Sequence, residues 1–420
     1  KYAASFERSK ASGLLHLLRQ CPRFLRDLYE NDKAWEALSF LVWETMHVLN
    51  LTAIRTLQFV AGPPTILPHN ALEETDSLIA NAFIKRGLRV ARSRHGWRIL
   101  FLFADRELYG CLHTEPRVLY MSLDGGTSIT RIYAFEQEIT AIFISSTGTI
   151  LIGIHGAVYR GEIGDISFTK VISLSSPASF VLFGNGVTES RAQELLIGEY
   201  GNISDGTGFR FCGYLYCSND KGWSWQESDF LRRQRTNKHV HGIWYSSLLD
   251  GVLLTDGDNR KRLWLGRRAE GKSQFEWTLL RKHHIQTGGY LSMVEIEENI
   301  LFGTDYLGGT NWIVMTRDGL TFKRMMIPDP YRRSPIPTML KRSDGITHEI
   351  WACLHNSICA STRCLLMCSC DDGTTWHRCL EYDGTVNHLE IISRATGSGR
   401  NFWFSVEFAN DYRVYHVCDL

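Results

Sequence analysis

Ser218-x-Asp220-x-Gly222-x-Ser224-Trp225 and Ser369-x-Asp371-x-Gly373-x-Thr375-Trp376 follow one template. Ser122-x-Asp124-x-Gly126-x-Ser128 follows it without the tryptophan, and Thr316-Arg317-Asp318-Gly319-Leu320-Thr321-Phe322 is a degenerate copy. The template reads as a hairpin turn. Asp and Ser side chains bond the turn backbone, Gly supplies left-handed dihedrals, and the aromatic packs beneath. Copies recurring through a β-rich chain mark a repeat architecture.

The residues around the copies read as short strands in groups of four. Arg98–Ala104, Glu107–His113, Arg117–Met121 and Ser128–Phe135 make one group, and the pattern returns every 40–50 residues to the C-terminus. This spacing predicts an all-β propeller of about seven four-stranded blades, or six if two segments merge. The last blade is one strand short, and Leu88–Ala91 from the N-terminal side is placed to close the ring. The chain therefore divides into a helical segment, 1–87, outside the ring, and a propeller, 88–420.

These signatures resemble the Asp-box, or bacterial neuraminidase repeat, of sialidase-like propellers. The resemblance covers roughly the last three-quarters of the chain. It implies that Asp124, Asp220, Asp318 and Asp371 are scaffold residues at the blade periphery, because that is where the family keeps this turn. It does not extend to sialidase chemistry. A sialidase carries an Arg-Ile-Pro type motif in its first blade, where this chain has Trp97-Arg98-Ile99-Leu100. The Arg-Ser-Pro-Ile-Pro segment at Arg333–Pro337 falls in another blade.

The formal charge is +1, which gives no bulk electrostatic case for nucleic-acid binding. No apolar run approaches the length of a membrane span. In the N-terminal segment, Leu14, Leu18, Cys21, Leu25 and Leu28 form one helical stripe, and Trp35, Leu38, Val42, Met46 and Leu49 form another. Asn70 and Glu73 look like a capping box for a third helix, with Gly87 as its stop. Such helices either cap the propeller or contact a protein partner or membrane surface. A basic cluster follows, Lys85, Arg86, Arg89, Arg92, Arg94 and Arg98. The 11 cysteines are an odd number, so at least one is unpaired within the chain. Six of them, from Cys353 to Cys379, crowd one blade. The chain begins at Lys1 and shows no secretion signal.

The ends of the second strands of all blades reach one face of a propeller. Here those ends carry His113, His155, Glu199, Asp258, Asp305, His355 and Glu407, a titratable residue in every blade. Lys238-His239-Val240-His241 leads into blade four on the same face, with both imidazoles on one side of the strand. Tyr200, Tyr290, Tyr306 and Trp312 are neighbours in sequence. Carboxylates and imidazoles to grip hydroxyls or move protons, with aromatic faces for sugar rings, compose a carbohydrate site. The expectation is a glycan-cleaving enzyme, either a glycoside hydrolase or a uronate lyase. Glu199, Asp258, Asp305, His239 and His241 are the candidate catalytic groups. His113, His155, Tyr200, Tyr290, Tyr306, Trp312, His355 and Glu407 are the candidate substrate contacts. His239, His241 and Asp258 also form a candidate site for a divalent metal. The alternative is a non-catalytic platform for a glycan or protein. The two separate spatially: clustered mouth residues favour the enzyme, whereas scattered ones with an apolar patch on the helices favour the platform.

Overall fold

The computed structural model describes residues 34–51, 54–104, 106–204, 209–236, 238–257, 260–268, 274–282, 288–343, 345–355, 362–383, 388–395 and 399–420. The Leu14–Leu28 stripe and Asp258 lie outside them. Seven antiparallel four-strand units follow one another along the chain, each a meander from the channel outward. Blade 2 shows why its sequence does this. Ile139–Ile144, Thr149–Ile154 and Ala157–Glu162 are buried almost throughout, because blades stack face to face and cover both sides of their inner strands. The outermost strands alternate instead, as in Phe275–Lys282 of blade 4, where one side faces water.

The signature turns join the third and fourth strands of blades 1, 3, 5 and 6. In blade 3, the Asp220 carboxylate accepts the backbone N–H groups of Trp223 and Ser224, at 3.1 and 2.9 Å. It also accepts the Ser224 hydroxyl at 2.6 Å. Ser218 Oγ accepts the Gly222 N–H at 2.9 Å, and Gly222 takes the φ of 80° that the turn demands. Trp225 Nε1 closes the turn on the Gly222 carbonyl at 3.0 Å. Blades 1 and 6 repeat these bonds. At the same end of the sheets, blades are pinned by carboxylates. Glu189 of blade 3 accepts Ser146 N–H of blade 2, and Glu295 of blade 5 accepts Ser247 N–H of blade 4, at 2.7 and 3.0 Å.

The expected closing strand forms as Leu88–Arg92, paired with Tyr412–Asp419 at the outer edge of blade 7. The chain before it wraps the ring. Helix α1, Ala34–Val48, lies against blade 5. Gln58–Phe59 and Thr65–Ile66 then add parallel to the outer strand of blade 6. Helix α2, Thr75–Ile84, follows and buries Ile79, Ala82 and Phe83. Phe83 stacks between Trp351 of blade 6 and Phe404 of blade 7, at 5.4 and 5.6 Å. The expected capping box is absent. The N-cap residue is Glu74, without a side-chain cap bond, and Asn410 from blade 7 accepts the Ala71 N–H. Gly87 ends the helical region with φ 74°. Among the described residues no helix is long and apolar enough to cross a membrane.

One strand departs from the repeat. The segment ahead of blade 7's second strand forms two short strands, His388–Ile391, which stays in that blade, and Ser393–Ala395, which pairs parallel with Trp97–Ala104 of blade 1. Blade 1 therefore has a fifth strand, on the channel side.

Candidate functional site

A string of rings runs across three blades on the predicted face. His155 meets Phe180 edge-on at 5.2 Å, and Phe180 meets Tyr200 at 5.0 Å. Tyr200 lies 4.0 Å from the His239 ring, and His239 stacks on His241 at 5.1 Å. The string forms because Tyr200 follows the second strand of blade 3, while Val240–Ser246 opens blade 4 beside it. His239 Nδ1 lies 2.5 Å from the Gly201 carbonyl. A carbonyl only accepts, so Nδ1 carries the proton. The backbone of Gly257 passes so close to both imidazoles that a side chain there would collide with them.

The other predicted residues do not join this string. Glu199 is fully buried and turned into blade 3, where it accepts the Ser175 N–H at 3.2 Å and the Tyr216 hydroxyl at 2.8 Å. The Ser175 hydroxyl donates to it as well. A carboxylate held this way has little acceptor capacity left for a substrate. Burial and the Glu199 charge push the neighbouring Tyr216 phenol far up and the Cys212 thiol to about 12. Tyr290 is fully buried, stacked on Phe302 at 4.5 Å, and burial raises its phenol well above the usual range. Trp312 is equally interior, with Trp43 of α1 at 5.9 Å and Arg324 over its ring. Neither offers a ring face to a sugar at the mouth. Asp305 ends the second strand of blade 5, and Tyr306 beside it lies under the Lys261 ammonium at 4.7 Å.

Around the rest of the ring, His113 is exposed and stacks on Tyr412 at 4.2 Å, and Glu407 is exposed at a strand end. His355 pairs with His388, Nε2 to Nε2 at 3.1 Å. Burial, with His388 second, lowers His355 to about 3, so it is neutral near pH 7 and one imidazole donates to the other. The predicted set is thus a short string in blades 2–4, a histidine pair between blades 6 and 7, and isolated or interior residues elsewhere. Among the described residues no three His, Cys, Asp or Glu side chains gather as a metal site.

The channel is also blocked. Asn185, ahead of blade 3, donates to the Pro337 carbonyl of blade 6 at 3.3 Å, and non-adjacent blades can touch only across the centre. Arg394 donates to the Met339 carbonyl at 2.6 Å and packs against the Gly184 backbone so closely that no side chain fits there. On the hairpin face below this plug is a cavity of about 460 Å³, lined by Leu248, Met293, Glu295, Lys341, Arg394 and Phe402 among others. None of the predicted site residues lines it. Sequence periodicity points equally to both ends of a strand, so only the crossing contacts show which end is open.

Among the described residues, a run of exposed apolar side chains lies on α1. Glu44, at the centre of the helix, is buried against the propeller and accepts from Arg332 at 2.7 and 3.0 Å and from Arg333 at 2.7 Å. Burial pushes its carboxyl up, but the hydrogen bonds and charges of Arg332 and Arg333 outweigh this and hold it below the usual range. His47 meets Asp329 at 3.1 Å, and Trp43 Nε1 donates to Thr310 at 2.8 Å. With 3.6 residues per turn, placing Glu44 and His47 inward sends Leu38, Leu41, Val42 and Met46 outward. All four are exposed, Leu38 by 51%, and Trp35, Val48, Leu49 and Leu51 extend the same surface. The second stripe is therefore a helix, but its apolar side faces away from the ring.

No protein-family model matches the chain, and no curated protein matches it. Solved structures match by shape. A streptogramin B lyase is 14% identical with a TM-score of 0.53, covering 79% of this chain and 98% of that one. A chain of the mitotic checkpoint complex is 12% identical with a TM-score of 0.52, covering 87% and 99%. The WD40 repeats of RRP9 are 12% identical with a TM-score of 0.52, covering 80% and 98%. At these identities the similarity is one of fold, the seven-bladed β-propeller, which serves enzymes and non-catalytic proteins alike.

Proposed function

We propose that this chain is a non-catalytic propeller platform that seats a protein partner on the outward face of α1. One observation carries the reading: α1 docks through Ala37, Phe40, Glu44 and His47, yet turns Leu38, Leu41, Val42 and Met46 toward solvent. A helix that served only as a cap would carry polar residues on that outward side. The exposed row is about 22 Å long, the footprint of one partner helix laid alongside it. Leu, Met and Trp in that row are suited to helix-in-groove or helix-on-helix packing. Residues 1–87 then carry the contact, and residues 88–420 form the rigid body that presents it.

Glycan cleavage is the weaker reading. It needs a carboxyl pair across a bond, and Glu199 is committed to Ser175 and Tyr216. His239 and His241 are buried, so of the string only the half-buried His155 and Tyr200 remain within reach of a sugar ring.

The test compares three tagged proteins in native extracts: the wild type, the double variant Leu38→Glu/Leu41→Glu, and His241→Ala. A partner retained by the wild type and by His241→Ala but lost by the double variant, then reconstituted from purified components, supports the platform. Retention that depends on His241 instead, turnover of a polysaccharide by the wild type, or flotation of the purified chain on lipid vesicles overturns it.

A further inference from the structure

Two sequence features nearly 300 residues apart meet in one pocket. The basic cluster begins at Lys85 and Arg86, just after α2. The cysteine-rich blade places Cys368, Cys370 and Cys379 on its third and fourth strands and the turn between them. Because the N-terminal segment wraps blade 6, it closes a cavity of about 270 Å³ over these thiols. Lys85, Arg86, Arg378, His377 and the three cysteines line it.

The pocket is electropositive and sulfur-rich at once. Arg86 Nη1 donates to Cys368 Sγ at 3.5 Å, and Nη2 donates to the Arg378 carbonyl at 3.4 Å. Arg378 reaches the Gly62 carbonyl at 2.7 Å. The Nε atoms of both arginines are buried and make no hydrogen bond among the described residues. Glu349 is the one carboxylate in the lining, and it is already engaged by Arg342 and Trp351 at 3.1 and 2.9 Å. Three cations thus face one committed acid. Cys379 Sγ lies 3.8 Å from Cys368 Sγ, both buried, while Cys370 is exposed at the mouth. Of the three thiols Cys370 is the accessible one, and the cations beside it attract an anionic reagent.

We propose that this pocket is a thiol-exchange site for a small anionic disulfide, with Cys370 as the reacting thiol and Lys85, Arg86 and Arg378 holding the reagent's carboxylates. Cys370 gives its proton to solvent, and its sulfur attacks one sulfur of the reagent. One S–S bond breaks, one forms to Cys370, and the other half of the reagent leaves as a thiolate. No further oxidant is needed. The hydrogen bond from Cys370 to Cys368, and then burial, holds the Cys370 thiol protonated well above the usual range, while Arg86 opposes both. Exchange therefore accelerates as pH rises.

The experiment exposes the full native chain, at mildly alkaline pH, to glutathione disulfide and separately to neutral 2-hydroxyethyl disulfide. Each rate is divided by that reagent's rate with free cysteine, and the modified residue is mapped by peptide mass. We expect Cys370 to carry the adduct and glutathione disulfide to react about tenfold faster after normalisation. Lys85→Glu, on an exposed side chain, should erase that preference, and Cys370→Ser should stop modification. Equal normalised rates for the two reagents, first labelling at another cysteine, or no labelling of the native chain would overturn the proposal.

Discussion

Helices α1 and α2 belong to the same wrapped segment and lie on neighbouring blades, yet they differ in what fixes them and in what they leave outside. Helix α2 buries Ile79, Ala82 and Phe83 and leaves Leu78 and Ile84 exposed. Helix α1 buries Ala37, Phe40 and Glu44, the last behind two arginines, and exposes Leu38, Leu41, Val42 and Met46. Apolar burial fixes α2, whereas α1 adds to a smaller apolar contact an ion-paired carboxylate, whose desolvation offsets much of its attraction. What α1 gains from Glu44 is orientation. The two arginines set which side faces out, and that side is the one an apolar partner would cover.

Phe83→Ala should have the largest effect, lowering unfolding free energy by about 3–5 kcal/mol in denaturant titrations, because the ring fills a slot between two aromatic side chains. A loss under ~1 kcal/mol would break the contrast by making α2 peripheral. Glu44→Ala removes the acid that Arg332 and Arg333 share. It should cost about 3 kcal/mol, but locally. Amide exchange over residues 34–48 should rise while the blades keep their protection. Loss of protection in blade 7 as well would mean that the two helices are not independent.

Acid should separate them in the other order. Burial lowers His355 to about 3 and His416 to about 4, so between these values and pH ~6.5 the unfolded chain binds more protons than the native one. Stability therefore falls as pH drops through that window, by about 3 kcal/mol for each histidine at pH ~4. Glu44 and Asp329 are held below the usual range, so α1 should stay docked until the carboxylates themselves titrate. Exchange that rises first in α1 at pH ~5 would contradict this. Asp371→Ala removes turn bonds on blade 6 and should cost about 1–2 kcal/mol, with partner binding unchanged. Leu38→Glu/Leu41→Glu should shift stability by less than ~0.5 kcal/mol, since neither side chain packs on the ring. A large loss there would show that α1's outer side is covered within the chain.

The propeller was legible because its turns are local. Ser224 donates to Asp220 and Trp225 to Gly222 within a few residues, so the spacing in the sequence is the spacing in space. The closing strand was legible for a related reason, since one blade came up short. Glu199 was not. Its place at a strand end is periodic, but its acceptors are filled by Ser175 and Tyr216, which no pattern links to it. Tyr290 and Trp312 misled because aromatic side chains at a strand end pack inward as readily as they line a mouth. The stripe on α1 gave a helix but not its facing, because periodicity fixes which residues share a side and not what that side meets. The pocket over Cys370 depends on a wrap spanning Pro63 to Cys379, beyond any local signal.

Blade 7 is built from both ends of the described chain, with Leu88–Arg92 hydrogen-bonded to Tyr412–Asp419. During synthesis the first of these strands leaves the ribosome more than 300 residues before its neighbour exists. At ordinary elongation rates it waits on the order of tens of seconds with an unpaired edge. In that interval Phe83 lacks the blade 7 side of its slot, Phe404, and the wrap lacks half its surface. The nascent chain is then most open to wrong edge-to-edge pairing. A stop codon just before Tyr412 would take away the partner of Leu88–Arg92 and leave blade 7 tied to blade 1 through the short parallel pairing of Ser393–Ala395.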